Sequence, residues 1–81
     1  MTVRVLFFAL LRERAGMSET AVEVEAGTTA AGLWRLLQRR HPRLGEYSGP
    51  LRFAVDQAYV DGSETLPDNA EVALIPPVSG G

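Results

Sequence analysis

The 81-residue sequence contains neither cysteine nor lysine. Without cysteine there is no disulfide, no thiolate metal site and no cysteine nucleophile. Any sulfur this chain handles must be delivered from outside. Without lysine, all eight basic residues are arginine. Base-composition bias in a genome explains that by itself. A chain with no lysine amine also cannot trap an activated carboxyl group on a sister molecule as an isopeptide. Long apolar runs are missing as well. The stretch Leu6 to Leu11 is too short for a membrane span and runs straight into Arg12-Glu13-Arg14. It has no small-residue cleavage pattern, so no signal peptide is expected. Dense basic clusters are absent, and the net charge is −2. Arg35, Arg39, Arg40 and Arg43 read as the solvated side and end of a helix. Neither a nucleic acid nor a membrane is an expected partner, and the expected location is the cytoplasm.

What is present describes one small globular domain. Hydrophobic residues make up 46% and charged residues 22%, which argues against disorder. A chain this short buries roughly 60–65% of its unfolded surface, so its core is small. It has no room for an elaborate active site and the scaffold to hold one.

The segment Val3 to Leu10 is β-branched and aromatic and predicts a strand. Gly16 to Ser18 turn the chain, and Thr20 to Glu25 alternate polar with apolar as a half-buried second strand. These two strands are expected to form a hairpin. Thr29 is the expected N-cap of a helix over Ala30–His41, with Ala30, Leu33, Leu36 and Leu37 on one face. Trp34 lies at the edge of that stripe, and Pro42 ends the helix. Arg43 to Pro50 read as a loop, Leu51–Val55 and Ala58–Val60 as strands, and Glu71–Ile75 as the last strand. Asp61-Gly62 and Pro67-Asp68-Asn69 mark turns. The order β-β-α-β-β-β predicts an α+β mixed sheet of four or five strands with one main helix across one face.

Strand pleating then sorts the faces. Val5, Phe7 and Ala9 are expected to point one way, and Arg4, Leu6, Phe8 and Leu10 the other. Arg4 marks its side as the outer one. Glu71 does the same for the last strand, which sends Ile75 and Ala73 outward and Val72 and Leu74 to the core. If those two strands are neighbours, Leu6, Phe8 and Ile75 form an exposed apolar patch. Such patches mark partner sites.

The side chains offer no convincing catalyst. The single histidine, His41, reads as a helix-end residue near the last carbonyls. There is no nucleophile elbow and no phosphate-cradling glycine loop. Asp56, Asp61, Glu64, Asp68 and Glu71 fit turn chemistry, and together could complement a basic partner.

What remains is the tail Pro76-Pro77-Val78-Ser79-Gly80-Gly81. Glycines without Cβ atoms can thread a channel too narrow for other residues, and the prolines end the strand and stiffen the approach. The Gly81 carboxylate is a poor electrophile until ATP converts it to an acyl-adenylate. A sulfur nucleophile then displaces AMP and leaves a thiocarboxylate, whereas an amine gives a protein conjugate. Both routes need an adenylating partner.

The opening Val5-Leu6-Phe7-Phe8-Ala9 with Arg12-Glu13, the helix after Gly27-Thr28-Thr29, and the ending Glu71 to Gly81 resemble the small subunit of molybdopterin synthase. The resemblance covers essentially the whole chain, and its Pro-Pro-Val-Ser-Gly-Gly ending is the specific part. It implies a ubiquitin-like β-grasp over residues 1–75 and a flexible reactive tail over 76–81. It implies that Gly81 is adenylated by a partner related to ubiquitin-activating enzymes, which uses the ATP, and is then charged by a sulfur donor. The tail, Pro76 through Gly80, would thread into the large subunit and pass sulfur to cyclic pyranopterin monophosphate. The family assembles as a heterotetramer, with Phe8 and Ile75 at positions that pack against partners. The chain itself would bind no cofactor and no metal and would not be catalytic alone. Thiamin or tRNA thiolation carriers and ubiquitin-like modifiers share the bare Gly-Gly ending. The chain departs from the family at Pro67-Asp68-Asn69-Ala70, where Asp-Gly-Asp often stands before the glutamate, and at Asp56, where asparagine often follows the third strand.

Overall fold

The computed structural model describes residues 1–77. Its elements are β1 (Thr2–Phe7), α1 (Ala9–Ala15), β2 (Glu19–Glu23), α2 (Ala30–Arg40), α3 (Pro42–Gly45), β3 (Arg52–Val55), β4 (Ala58–Val60) and β5 (Glu71–Ile75). The strands form one five-stranded sheet in the order β2-β1-β5-β3-β4. The central pair, β1 and β5, is parallel, and the other pairs are antiparallel. The first and last strands thus meet in the middle of the sheet, and α2 covers one face. This arrangement is the ubiquitin-like β-grasp.

The core follows from the two periodicities. Val3, Val5 and Phe7 from β1 and Val72 and Leu74 from β5 point to the helical side and are buried. Ala30, Leu33 and Leu37 of α2 meet them, and Leu11 of α1 and Leu44 of α3 close the ends. Trp34 is half-buried at the margin and meets Tyr47 edge-on, with ring centroids 6.3 Å apart. The start of α2 is fully capped. Thr29 Oγ1 accepts from Gly32 N at 3.0 Å. Ala30 N and Ala31 N donate to the carbonyls of Glu64 and Gly62. The helix therefore leaves no free N-terminal donor for an anion.

Several local expectations are corrected. The first strand ends at Phe7, not Leu10, because Ala9 takes a left-handed φ of 50° and starts α1. Ala9 is exposed rather than inward-facing. Leu11 and Ala15, one helical turn apart, turn toward the core, and Gly16 at φ 74° ends the helix. β1 and β2 do pair antiparallel, but through a helix rather than a hairpin turn. β2 stops at Glu23, although Val24 N still donates to Met1 O. The predicted loop after residue 42 contains α3, which Pro42 begins, since proline's fixed φ and missing N–H suit a first helical turn. β3 starts at Arg52, one residue later than expected. The His41 ring packs edge-on against Phe7, 6.5 Å between centroids, and only its backbone N–H reaches back to Leu37 O.

The two turns that depart from the family pattern use left-handed residues. Asp56 (φ 49°) and Gln57 (φ 72°) make the two-residue connection between β3 and β4. Asn69 (φ 61°) sits in the turn before β5. Asp56 also ties this hairpin to β5, where its Oδ1 accepts from Glu71 N at 2.9 Å.

Candidate functional site

The outer face of the sheet, opposite α2, is built by register. Leu6 pairs with Ala73, Ala73 with Ala54, and Ala54 with Tyr59. Paired residues project on the same side, so one apolar row crosses four strands. Its middle is shallow because both central residues are alanine. These are nearly covered (7% and 8% exposed) although no helix lies over them. The ends stand up: Leu6 is half-buried, and Tyr59 is 66% exposed.

Next to this row, toward the C-terminal end of β5, lie Phe8, Ile75 and Arg52. Arg52 pairs with Ile75 on the last rung of the β3–β5 ladder. Phe8 continues β1 in extended backbone (φ −118°, ψ 151°) and is 42% exposed. Ile75 is half-buried. The tail leaves here, with Pro76 buried and Pro77 exposed. Val78, Ser79, Gly80 and Gly81 lie outside the described residues. The root of the tail is fixed because β5 is bonded on both sides, to β1 and β3.

On the other flank the charges neutralise one another. Arg4 donates to Glu71 Oε1 at 2.5 Å and sits 4.0 Å from Glu19. Arg52 behaves differently. Its guanidinium lies over the Tyr59 ring, 5.7 Å from the centroid, and it pairs with no carboxylate among the described residues.

The outer face therefore brings Leu6, Phe8 and Ile75 together beside Pro76 and Pro77. The sequence reading missed Tyr59 and Arg52. Both were accessible to it: the short β3–β4 turn at Asp56-Gln57 places Tyr59 opposite Ala54, on the outer side. Of the acidic residues, Asp56 and Asp61 act in turns. Asp61 Oδ1 accepts from Ser63 N at 2.7 Å, which holds its carboxyl below the ordinary value. Glu71 is half-buried and paired with Arg4.

Among the described residues, no group of three or more His, Cys, Asp or Glu is placed to hold a metal. None of the described helices is long and apolar enough to cross a membrane. An open groove of about 550 Å³ runs between the end of β2 and α2, with Glu23 and Glu25 on one wall and Arg39 and Arg40 on the other. It lies on the helical side, and the helix N-terminus beside it has its donors satisfied.

Comparison with known proteins agrees with this geometry. The family model described as the ThiS family matches residues 5–81. The molybdopterin synthase sulfur carrier subunit of Chlamydomonas reinhardtii is 40% identical, with all of both chains covered. The human protein of that name is 37% identical over 98% of this chain and 93% of its own. Among solved structures, small archaeal modifier protein 1 from Haloferax volcanii superposes with a TM-score of 0.85 at 28% identity, and each chain is wholly covered.

Proposed function

The chain belongs to the ThiS family, alongside the molybdopterin synthase sulfur carrier subunits, and on that premise we propose that Gly81 carries sulfur for molybdopterin synthesis. The observation that carries this reading is a family match that runs through the terminal Gly80-Gly81, on a fold that fixes the tail's root beside an apolar face.

The Gly81 carboxylate attacks the α-phosphorus of ATP on an adenylating partner, forming the acyl-adenylate and releasing pyrophosphate. Sulfide supplied by a sulfur donor displaces AMP, and a thiocarboxylate and a proton result. In the large synthase subunit that sulfur bonds to a side-chain carbon of cyclic pyranopterin monophosphate, and a carbon–oxygen bond of that carbon breaks, its oxygen leaving with the phosphate or as water. Hydrolysis of the acyl–sulfur bond leaves the sulfur on the pterin and regenerates the carboxylate. Gly80 and Gly81 let the tail reach the buried reaction centre, while Pro76 and Pro77 keep it extended. Leu6, Phe8 and Ile75 dock the folded domain. The nucleotide site and catalytic side chains belong to the partners, and the assembly is a cytoplasmic heterotetramer with the large subunits at its centre.

The test is the intact mass of the protein after incubation with ATP, a sulfide source and the adenylating enzyme of the same cell. A gain of one sulfur-for-oxygen exchange, localised to the terminal peptide, is expected. An unchanged terminus refutes the carrier role. A second reading, a protein modifier, is favoured by the likeness to small archaeal modifier protein 1. It predicts adducts on target lysines that vanish when Gly81 is deleted.

A further inference from the structure

We propose that Arg52, held over Tyr59, anchors a carboxylate on the protein that covers the outer face. This rests on the reading of that face as the docking surface and specifies what the partner must present there.

Arg4 and Arg52 both lie on this face. Arg4 already has Glu71 and Glu19 beside it, so covering it buries a neutralised group. Arg52 is exposed, with no carboxylate partner among the described residues. It cannot be left at the rim, because the sheet register sets it directly opposite Ile75, at the root of the tail. A partner that seats Phe8, Ile75 and Tyr59 must also cover Arg52. Burying an unpaired guanidinium is strongly unfavourable, so a stable complex has to supply an acceptor.

The guanidinium itself selects the kind of acceptor. It lies over the Tyr59 ring and carries its N–H donors in one planar fork. That fork matches the two oxygens of an Asp or Glu carboxylate. The ring also limits how far the side chain can swing, so less freedom is lost on binding. The inferred partner surface is an apolar depression for Phe8 and Ile75 with one carboxylate on the side facing Tyr59.

The test uses the full chain and the separately purified large molybdopterin synthase subunit of the same organism. Affinity is measured by calorimetric titration for the unaltered chain, Arg52→Met, Arg52→Lys and Phe8→Ala, at salt from about 0.05 to 0.5 M. Thermal unfolding checks that each variant is folded. Arg52→Met keeps the stem and drops the charge. It is expected to weaken binding about 30-fold at low salt and to flatten the salt dependence. Arg52→Lys is expected to fall between the two, since it keeps charge without the planar fork. If Phe8→Ala weakens binding while Arg52→Met stays within about threefold of the unaltered chain, the anchor is refuted and the docking face stands. A loss with Arg52→Met that is equal at every salt concentration means a neutral acceptor and overturns the carboxylate. If Phe8→Ala has no effect, or the unaltered chain does not bind, the docking reading fails and the anchor with it.

Discussion

Replacing Tyr59 by threonine separates docking from folding. Tyr59 lies on the outer face of β4, at the edge of the sheet, and is 66% exposed. A tyrosine carries roughly 200 Å² of surface, so about 130 Å² stands free to be covered by a partner. At about 25 cal/mol per Å², full coverage is worth about 3 kcal/mol. The phenolic oxygen lowers that figure, which leaves about 2–3 kcal/mol, or roughly a 30- to 150-fold change in dissociation constant. In the free protein the ring contributes little. It loses an exposed contact with Arg52, worth about 0.5–1 kcal/mol, and threonine preserves the strand preference of the site. The expected result is a stability change below about 1 kcal/mol by urea unfolding, with the slope unchanged, beside a large loss of affinity for the large subunit by calorimetric titration. Binding within about threefold of the unaltered chain would show that the partner stops short of β4. Equal losses in both assays would mean that the ring supports the fold rather than the interface.

Other outcomes follow from the same geometry. Adding one residue after Gly81 is expected to abolish sulfur loading while leaving the unfolding midpoint unchanged, and intact mass reads this directly. Gln57→Gly is expected to stabilise the protein by about 0.5–1 kcal/mol. It relieves a left-handed residue at φ 72° in an exposed turn, less the entropy glycine loses on folding. A lower urea midpoint for this variant would contradict the turn assignment. Ser63 N–H holds the Asp61 carboxyl below its ordinary value of 3.8. The folded state therefore binds fewer protons than the unfolded one, so this contribution is present above that value and is lost as pH falls through the lower, folded pKa. Asp61→Ala should show a shallower loss of stability in acid than the unaltered chain. Parallel acid profiles would remove Asp61 from the account.

The fold was legible because its periodicities are clean. Thr29 before an apolar stripe at Ala30, Leu33 and Leu37 can only begin a helix that buries that stripe. Glu71 to Ile75, bounded by a turn and two prolines, has the length and the composition of a strand. The opening was less legible. Phe8, Ala9, Leu10 and Leu11 are all apolar, so they show neither alternation nor helical spacing. The change from strand to helix there depends on the left-handed φ of Ala9, which carries no sequence signal. α3 was hidden for a similar reason: proline stops one helix and starts another with the same chemistry.

By itself, the sequence determined the chemistry this chain can take part in. The absence of cysteine and the presence of Gly80-Gly81 are statements about covalent groups, and no folding changes them. Only the tertiary structure decided where that chemistry is presented. Pairing β1 with β5, some 70 residues apart in the chain, brings Phe8 beside Ile75. The antiparallel ladders then add Tyr59 and place Arg52 at the root of the tail. Proximity of this kind depends on hydrogen-bond register between distant segments. A one-residue slip in either ladder would turn these side chains inward, and local preferences do not set that register.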